Sequence, residues 1–231
     1  QIYTDGDGVY TADPRLVPGA RKLGEISYDE MLELASLGAQ VLHNRSVEMA
    51  KKYNVPLEVL SSLEEKPGTV IKEVAKMEKM LIKGVAKDDN VTRISLIGLE
   101  DVPGIAFRIF SALAARRINV DIILQSVGRD NTKDISFTVS DSQREEAMEV
   151  VEELKGKLRA KSIVCDGVTK LSVVGAGMES NPGVAAMMFE ALAEANVNIQ
   201  MIATSEIKIS VLIDREEGLR AMRVVHEAFV S

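Results

Sequence analysis

Val102-Pro103-Gly104-Ile105-Ala106, followed by Ile118-Asn119-Val120-Asp121, returns later as Asn181-Pro182-Gly183-Val184-Ala185 followed by Val197-Asn198-Ile199-Gln200. Both landmarks recur at one offset, Pro-Gly on Pro-Gly and Asn119 on Asn198. Between them Ala106, Ile109, Phe110 and Leu113 match Ala185, Met188, Phe189 and Leu192. Their i, i+3, i+4, i+7 spacing is one face of a helix. The repeat predicts a duplicated strand–loop–helix–strand unit, an architecture that builds paired ligand sites.

Outward from the first copy, the pattern predicts a strand at 92–99, a helix at 103–116, strands at 120–127 and 134–139, a helix at 141–154 and a strand at 161–165. Gly128-Arg129-Asp130-Asn131 supplies the hairpin turn. The order βαββαβ is the ferredoxin-like plan, four antiparallel strands with two helices on one face. The second copy predicts a strand at 170–174, a helix at 182–195, strands at 199–204 and 208–213 and a helix at 216–229. It lacks a closing strand, and an open edge exposes unpaired backbone groups. The segment Met80-Leu81-Ile82-Lys83-Gly84-Val85-Ala86 reads as a strand without a partner. It is expected to complete the second module, so that the first is inserted within the second.

Before the repeats, a loop rich in Gly and Asp (4–18) leads to helical patterns. Ser27-Tyr28-Asp29-Glu30 is a capping box, in which a Ser hydroxyl and a Glu carboxylate satisfy free N–H groups at a helix start. Tyr28, Met31, Leu32 and Ala35 form the stripe that follows, and Gly38 suits the helix end. A further helix is expected at 44–53, a short strand at 55–60 and a turn at 64–68.

The bulk properties restrict the function. The 231 residues suffice for one or two domains, and 46% hydrophobic content is ordinary for a globular chain. A net charge of −7 argues against general nucleic-acid binding, which needs basic patches. Cys165, the single cysteine, excludes an internal disulfide and suits a reducing cytoplasm; it is expected to pack rather than react. Asp5-Gly6-Asp7-Gly8 lacks the later ligands of a calcium loop, and Gly175-Ala176-Gly177 lacks the third Gly of a dinucleotide turn. His43 reads as a structural hydrogen-bonding residue, and His226 as lying at the border of a helix's apolar face. The opening Gln1-Ile2-Tyr3 reads as a strand entered midway, the mark of a piece of a longer protein.

Residues 94–165 resemble the ACT domain, and their duplication resembles the regulatory half of the aspartate kinases. Thr4-Asp5-Gly6-Asp7-Gly8-Val9-Tyr10-Thr11-Ala12-Asp13-Pro14-Arg15 is similar to the nucleotide-side loop of the amino-acid-kinase fold as that family carries it. Glu25-Ile26-Ser27-Tyr28 and Leu37-Gly38-Ala39-Gln40-Val41-Leu42-His43 continue the likeness. The resemblance implies an α+β chain. Residues 1–72 would be the α/β tail of the kinase domain, 92–165 the first ferredoxin-like ACT module, and 78–88 with 166–231 the second.

The same resemblance implies the chemistry. The family phosphorylates the side-chain carboxylate of L-aspartate with ATP, with Mg expected alongside, and is inhibited by lysine, threonine or both bound at ACT modules. Positions matching Thr4, Asp5, Tyr10, Arg15, Gln40 and Val41 contact nucleotide. Gln40 departs from the Lys of many relatives and offers phosphate no charge. By resemblance, Asp101, Gly104, Ala106, Asn119, Val120, Asp121 and Gln125, with Ala185, Asn198 and Ile199, line a threonine-type site, and Ser205 and Glu206 a lysine-type one. The residues themselves fit a free amino acid: a Pro-Gly loop opening a helix offers N–H groups and the positive end of the helix dipole to a carboxylate, and Asp101 suits an ammonium. The repeat is asymmetric here, with Ser180, Gln200 and Thr204 opposite Asp101, Asp121 and Gln125. A homodimer through the ACT modules is implied. The family's phosphate-loop lysine is absent, so the chain alone is expected to be inactive. A stand-alone regulatory subunit is the alternative; such a chain would start near Met77 or Met80 and have no need of residues 4–15.

Overall fold

A computed structural model describes residues 1–37, 41–73, 81–127, 131–178 and 181–230. The chain divides into two compact units, one of residues 1–88 and 170–231, the other of residues 89–169.

The 89–169 unit is the first module. Its strands are the later part of β5 (Gly84–Glu100), β6 (Ile123–Val127), β7 (Thr132–Val139) and the early part of β8 (Ser162–Val174). They lie in the order β6-β7-β5-β8, with β7 antiparallel to both β5 and β6. This is the ferredoxin-like order. Helices α3 (Ile105–Ala115) and α4 (Arg144–Leu158) supply Ile105, Ile109, Leu113, Ala147, Val150 and Val151 to a core shared with Ile94, Leu96, Ile135 and Phe137. Cys165 packs against this core. The hairpin turn read at 128–131 falls, except for Asn131, outside the described residues.

The other unit holds two parts. Its first sheet has the order β1-β3-β4-β2, from Ile2–Thr4, Leu57–Ser61, Thr69–Lys72 and Glu25–Ser27. Strand β1 runs parallel to β3 and β2 parallel to β4, while β3 and β4 form an antiparallel hairpin. Helix α1 (Tyr28–Ser36) begins at the predicted capping box, with Ser27 and Glu30 capping each other. His43 accepts from the Arg45 N–H and caps α2 (Asn44–Lys52). Gly38 lies outside the described residues.

The second part is the second module, in the strand order β5-β8-β10-β9, with β9 (Met201–Thr204) and β10 (Lys208–Asp214) antiparallel. Helices α5 (Val184–Glu194) and α6 (Gly218–Val230) cover it. The expected missing strand is found in the start of β5 and the residues that lead into it. The Lys83 N–H donates to the Val174 carbonyl at 2.7 Å, and Ile82 and Val85 are each 1% exposed in the core that holds Leu171, Val173, Met188 and Val211. Burial of two such side chains contributes about 1.5–3 kcal/mol each.

Two sequence expectations are corrected. Residues 84–86 of the strand read at 80–86 run on into the strand read at 92–99 as one strand, β5, and the strands read at 161–165 and 170–174 are one strand, β8. Polar residues suggested breaks, but the structure pairs them: Arg93 Nε donates to Asp166 Oδ1 at 3.1 Å, and Thr169 Oγ1 to Asp89 Oδ1 at 2.6 Å. The turn at 64–68 joins β3 to β4. Among the described residues no helix is long and apolar enough to cross a membrane.

Candidate functional site

The predicted nucleotide residues converge. Thr4, Asp5, Tyr10, Arg15 and Val41 line one cavity of about 430 Å³; Gln40 lies outside the described residues. The loop is shaped by a hairpin in which Leu23 N–H donates to the Val9 carbonyl at 2.8 Å and Thr11 N–H to the Arg21 carbonyl at 2.9 Å. Fully buried Thr69 pins that hairpin, its Oγ1 accepting from Val9 N–H at 2.8 Å and donating to the Leu23 carbonyl at 2.6 Å.

The loop's charges are paired internally. Tyr10 donates to Asp7 Oδ1 at 2.7 Å, and Lys22 Nζ lies 3.1 Å from Asp7 Oδ2. The Tyr10 bond, reinforced by Lys22, holds the Asp7 carboxyl below its ordinary range, and the same bond raises the Tyr10 hydroxyl. Arg15 grips Asp13 through Nε at 3.0 Å and Nη2 at 2.8 Å, which lowers the Asp13 pKa. The Arg15 side chain is 81% exposed. Its fork can therefore turn from Asp13 to a phosphate with little loss of packing.

One wall of the cavity was not foreseen. Val85, Ala86 and Lys87 of β5 and Met222 of α6 line it, all belonging to the second module. His226, expected at the edge of the α6 apolar face, is instead 3% exposed, with Nε2 at 2.8 Å from Oγ1 of fully buried Thr11. Burial first, and then the charge of Arg21, lower its pKa below the ordinary 6.5. A depressed histidine stays neutral in the folded chain while the unfolded chain takes up a proton, so its stability contribution is whole above about 6.5 and falls as the pH drops below it. Urea midpoints at pH 7.5 and 5.5 should show this loss, and His226→Gln should reduce it.

The Pro-Gly loops share one geometry. Gly104 caps α3 at φ +90° and Gly183 caps α5 at φ +107°, neither helix having a side-chain cap. Side chains are strained at such angles. A Cβ at either position would meet nothing within 4 Å, so the glycine serves the backbone turn and leaves open space above the helix N-terminus. Arg108 N–H returns to the Gly104 carbonyl and Met187 N–H to that of Gly183, at 3.0 and 2.9 Å.

Around Gly104, Asp101 is half exposed and already paired, with Lys133 Nζ at 2.8 Å from its Oδ1. That lysine was missed; it sits opposite Leu99 in the β5–β7 ladder, which sequence spacing does not reveal. Asn119, Asp121 and Gln125 are exposed, and Ala106 and Val120 half-buried. Asn119 N–H donates to Gln143 Oε1 at 3.2 Å, and Asp121 N–H to the Thr138 carbonyl at 3.1 Å. In the other unit, Asn198 is exposed, and Ala185 and Ile199 pack against the second module's core. Ser205 and Glu206 are exposed at the β9–β10 corner, where Ser205 N–H donates to the Lys208 carbonyl at 2.8 Å. Ser180 lies outside the described residues.

Residues 94–154 and 171–229 match the model of the ACT domain, and residues 1–61 that of the amino acid kinase family. An aspartate kinase of Pseudomonas putida is 49% identical over 232 residues, covering 99% of this chain and 56% of the relative. The chain thus spans little more than half the length of that relative. The regulatory subunit of aspartate kinase from Thermus thermophilus, solved without ligand, is 42% identical with a TM-score of 0.62, covering 64% of this chain and 99% of that one. Aspartokinase III of E. coli, solved with lysine and aspartate in its T-state, is 25% identical with a TM-score of 0.78, covering 99% of this chain and 51% of that one.

Proposed function

The chain belongs to the aspartate kinase family, and from that premise we propose that it is the regulatory portion of an enzyme that phosphorylates L-aspartate with ATP to 4-phospho-L-aspartate. Its ACT modules bind lysine, threonine or both for feedback inhibition. The observation that carries this reading is the matched pair of left-handed glycines, Gly104 and Gly183, each opening a helix beneath empty space. A helix N-terminus with unspent N–H groups favours a carboxylate. Asp101 beside Gly104 favours the ammonium of the same molecule, exchanging Lys133 for it. The lysine complex of the E. coli relative supports an amino acid as the ligand.

The cavity formed by Thr4, Asp5, Tyr10, Arg15 and Val41 is the nucleotide side of the kinase site. The amino acid kinase match at residues 1–61 favours this over a stand-alone regulatory subunit with no such segment. A homodimer through the ACT modules fits the edge strand β6, whose Ile123 and Leu124 are 54% and 44% exposed; such edges invite pairing. An effector then inhibits only by binding one arrangement of the enzyme more tightly than another.

Calorimetric titration with lysine and with threonine tests the reading. Asp101→Ala should weaken effector binding by about 1–3 kcal/mol through loss of a charged hydrogen bond. Unchanged affinity for both amino acids would remove Asp101 from the site.

A further inference from the structure

The loop that carries Tyr10 and Arg15 is built into the second module. Ala12 and Val17, 6% and 4% exposed, belong to the same core as Val85, Val211, Met222 and Val225. Thr11 is the node. Its N–H donates to the Arg21 carbonyl, its carbonyl accepts from Val85 N–H at 2.7 Å, and its Oγ1 accepts from Arg21 N–H at 2.9 Å and meets His226 Nε2 at 2.8 Å. One turn earlier on α6, Arg223 Nε donates to the Leu16 carbonyl at 2.8 Å. Met222 of the same helix lines the cavity itself. One face of a single helix therefore holds the nucleotide loop at both ends of the stretch 11–16.

We propose that His226 is a positioning residue for nucleotide binding, fixing Thr11 from α6 so that a displacement of the second module alters the placement of Tyr10 and Arg15. This rests on the reading of the cavity as the nucleotide side. His226 touches no substrate and acts through Thr11. Both backbone groups of Thr11 bond outside α6, to Arg21 and Val85, and among the described residues the hydroxyl–imidazole contact is its hydrogen bond to α6. An amide at the same reach replaces Nε2 as donor or acceptor, whereas Leu and the shorter Asn do not.

The test uses the full-length enzyme that contains this chain, with steady-state kinetics in ATP and in aspartate. His226→Leu and Thr11→Val are each expected to raise KM for ATP about threefold to tenfold, with KM for aspartate and kcat held within about twofold. The double variant should be no worse than the poorer single one, since both remove one contact. His226→Gln should restore the wild-type KM. If His226→Leu does not fold, Gln against Asn at the same position carries the comparison, with Asn expected to raise KM for ATP. An unchanged KM for ATP in the Leu or Asn variant, equal loss in both substrates, or multiplying effects in the double variant would overturn the proposal. Arg15→Ala separates the two failures. If it raises KM for ATP while His226→Leu does not, only the positioning role is lost; if it too leaves that KM unchanged, the nucleotide reading falls and the positioning role with it.

Discussion

Ile82→Asp is expected to unfold the second module. The side chain is 1% exposed, in a core with Leu171, Val173, Met188 and Ile213. A carboxylate there has no partner of opposite charge among its apolar neighbours, and burial of an unpaired charge costs on the order of 4 kcal/mol or more. The damage extends beyond one side chain. Ile82 leads directly into β5, whose start is the neighbour that keeps β8 from being an edge in the order β5-β8-β10-β9. If the segment is expelled, β8 loses its ladder on that side. Ile82→Val, by contrast, removes one methylene and should cost about 0.5–1.5 kcal/mol. Urea unfolding followed by circular dichroism distinguishes these outcomes. An Asp variant with the wild-type midpoint would contradict the assignment of this strand to the second module.

Gly68→Ala has the next largest expected effect. A Cβ at Gly68 would stand 1.9 Å from the Val59 carbonyl oxygen and 2.9 Å from Leu60 Cδ2. The backbone oxygen has no rotamer by which to withdraw, so the β3–β4 hairpin must open. Such overpacking costs on the order of 3 kcal/mol. The neighbouring residue is Thr69, whose hydroxyl holds Val9 and Leu23 and with them the hairpin that presents Tyr10. The substitution should therefore lower the denaturant midpoint and also release the Val9 amide to rapid exchange with solvent. Wild-type protection of that amide would contradict this chain of contacts.

The repeat was legible because its two signals are local. Helical periodicity and a Pro-Gly turn each occupy a few consecutive residues, and both copies carry them. The closing strand could be inferred from the backbone groups that a three-stranded second module would leave unpaired. Strands β2 and β4 escaped because they are short: Glu25–Ser27 is absorbed into the capping box, and Thr69–Lys72 hides behind Pro67-Gly68. The continuity of β5 and β8 escaped because Lys87-Asp88-Asp89-Asn90 and Asp166-Gly167 read as loops. Long-range pairing with Thr169 and Arg93 engages the carboxylates of Asp89 and Asp166.

At the candidate site the limits have the same origin. Thr4, Asp5, Tyr10 and Arg15 form a contiguous motif, so family resemblance reached them. Val85, Lys87, Met222 and His226 meet that motif only through the fold, and no spacing within the sequence links His226 to Thr11. Lys133 likewise reaches Asp101 across a strand ladder. Its presence changes the electrostatic picture: Asp101 is already paired, and on the proposed reading it would trade Lys133 for the ammonium.

On the proposed reading the Gly104 and Gly183 loops receive a free amino acid. Amide hydrogen exchange of this chain, with and without lysine and threonine, tests it most directly. The amides of residues 104–107, 183–186 or both should exchange more slowly with effector present, while those of β3 and β4 keep their rates. Unchanged exchange at both loops under saturating lysine and threonine would contradict the account.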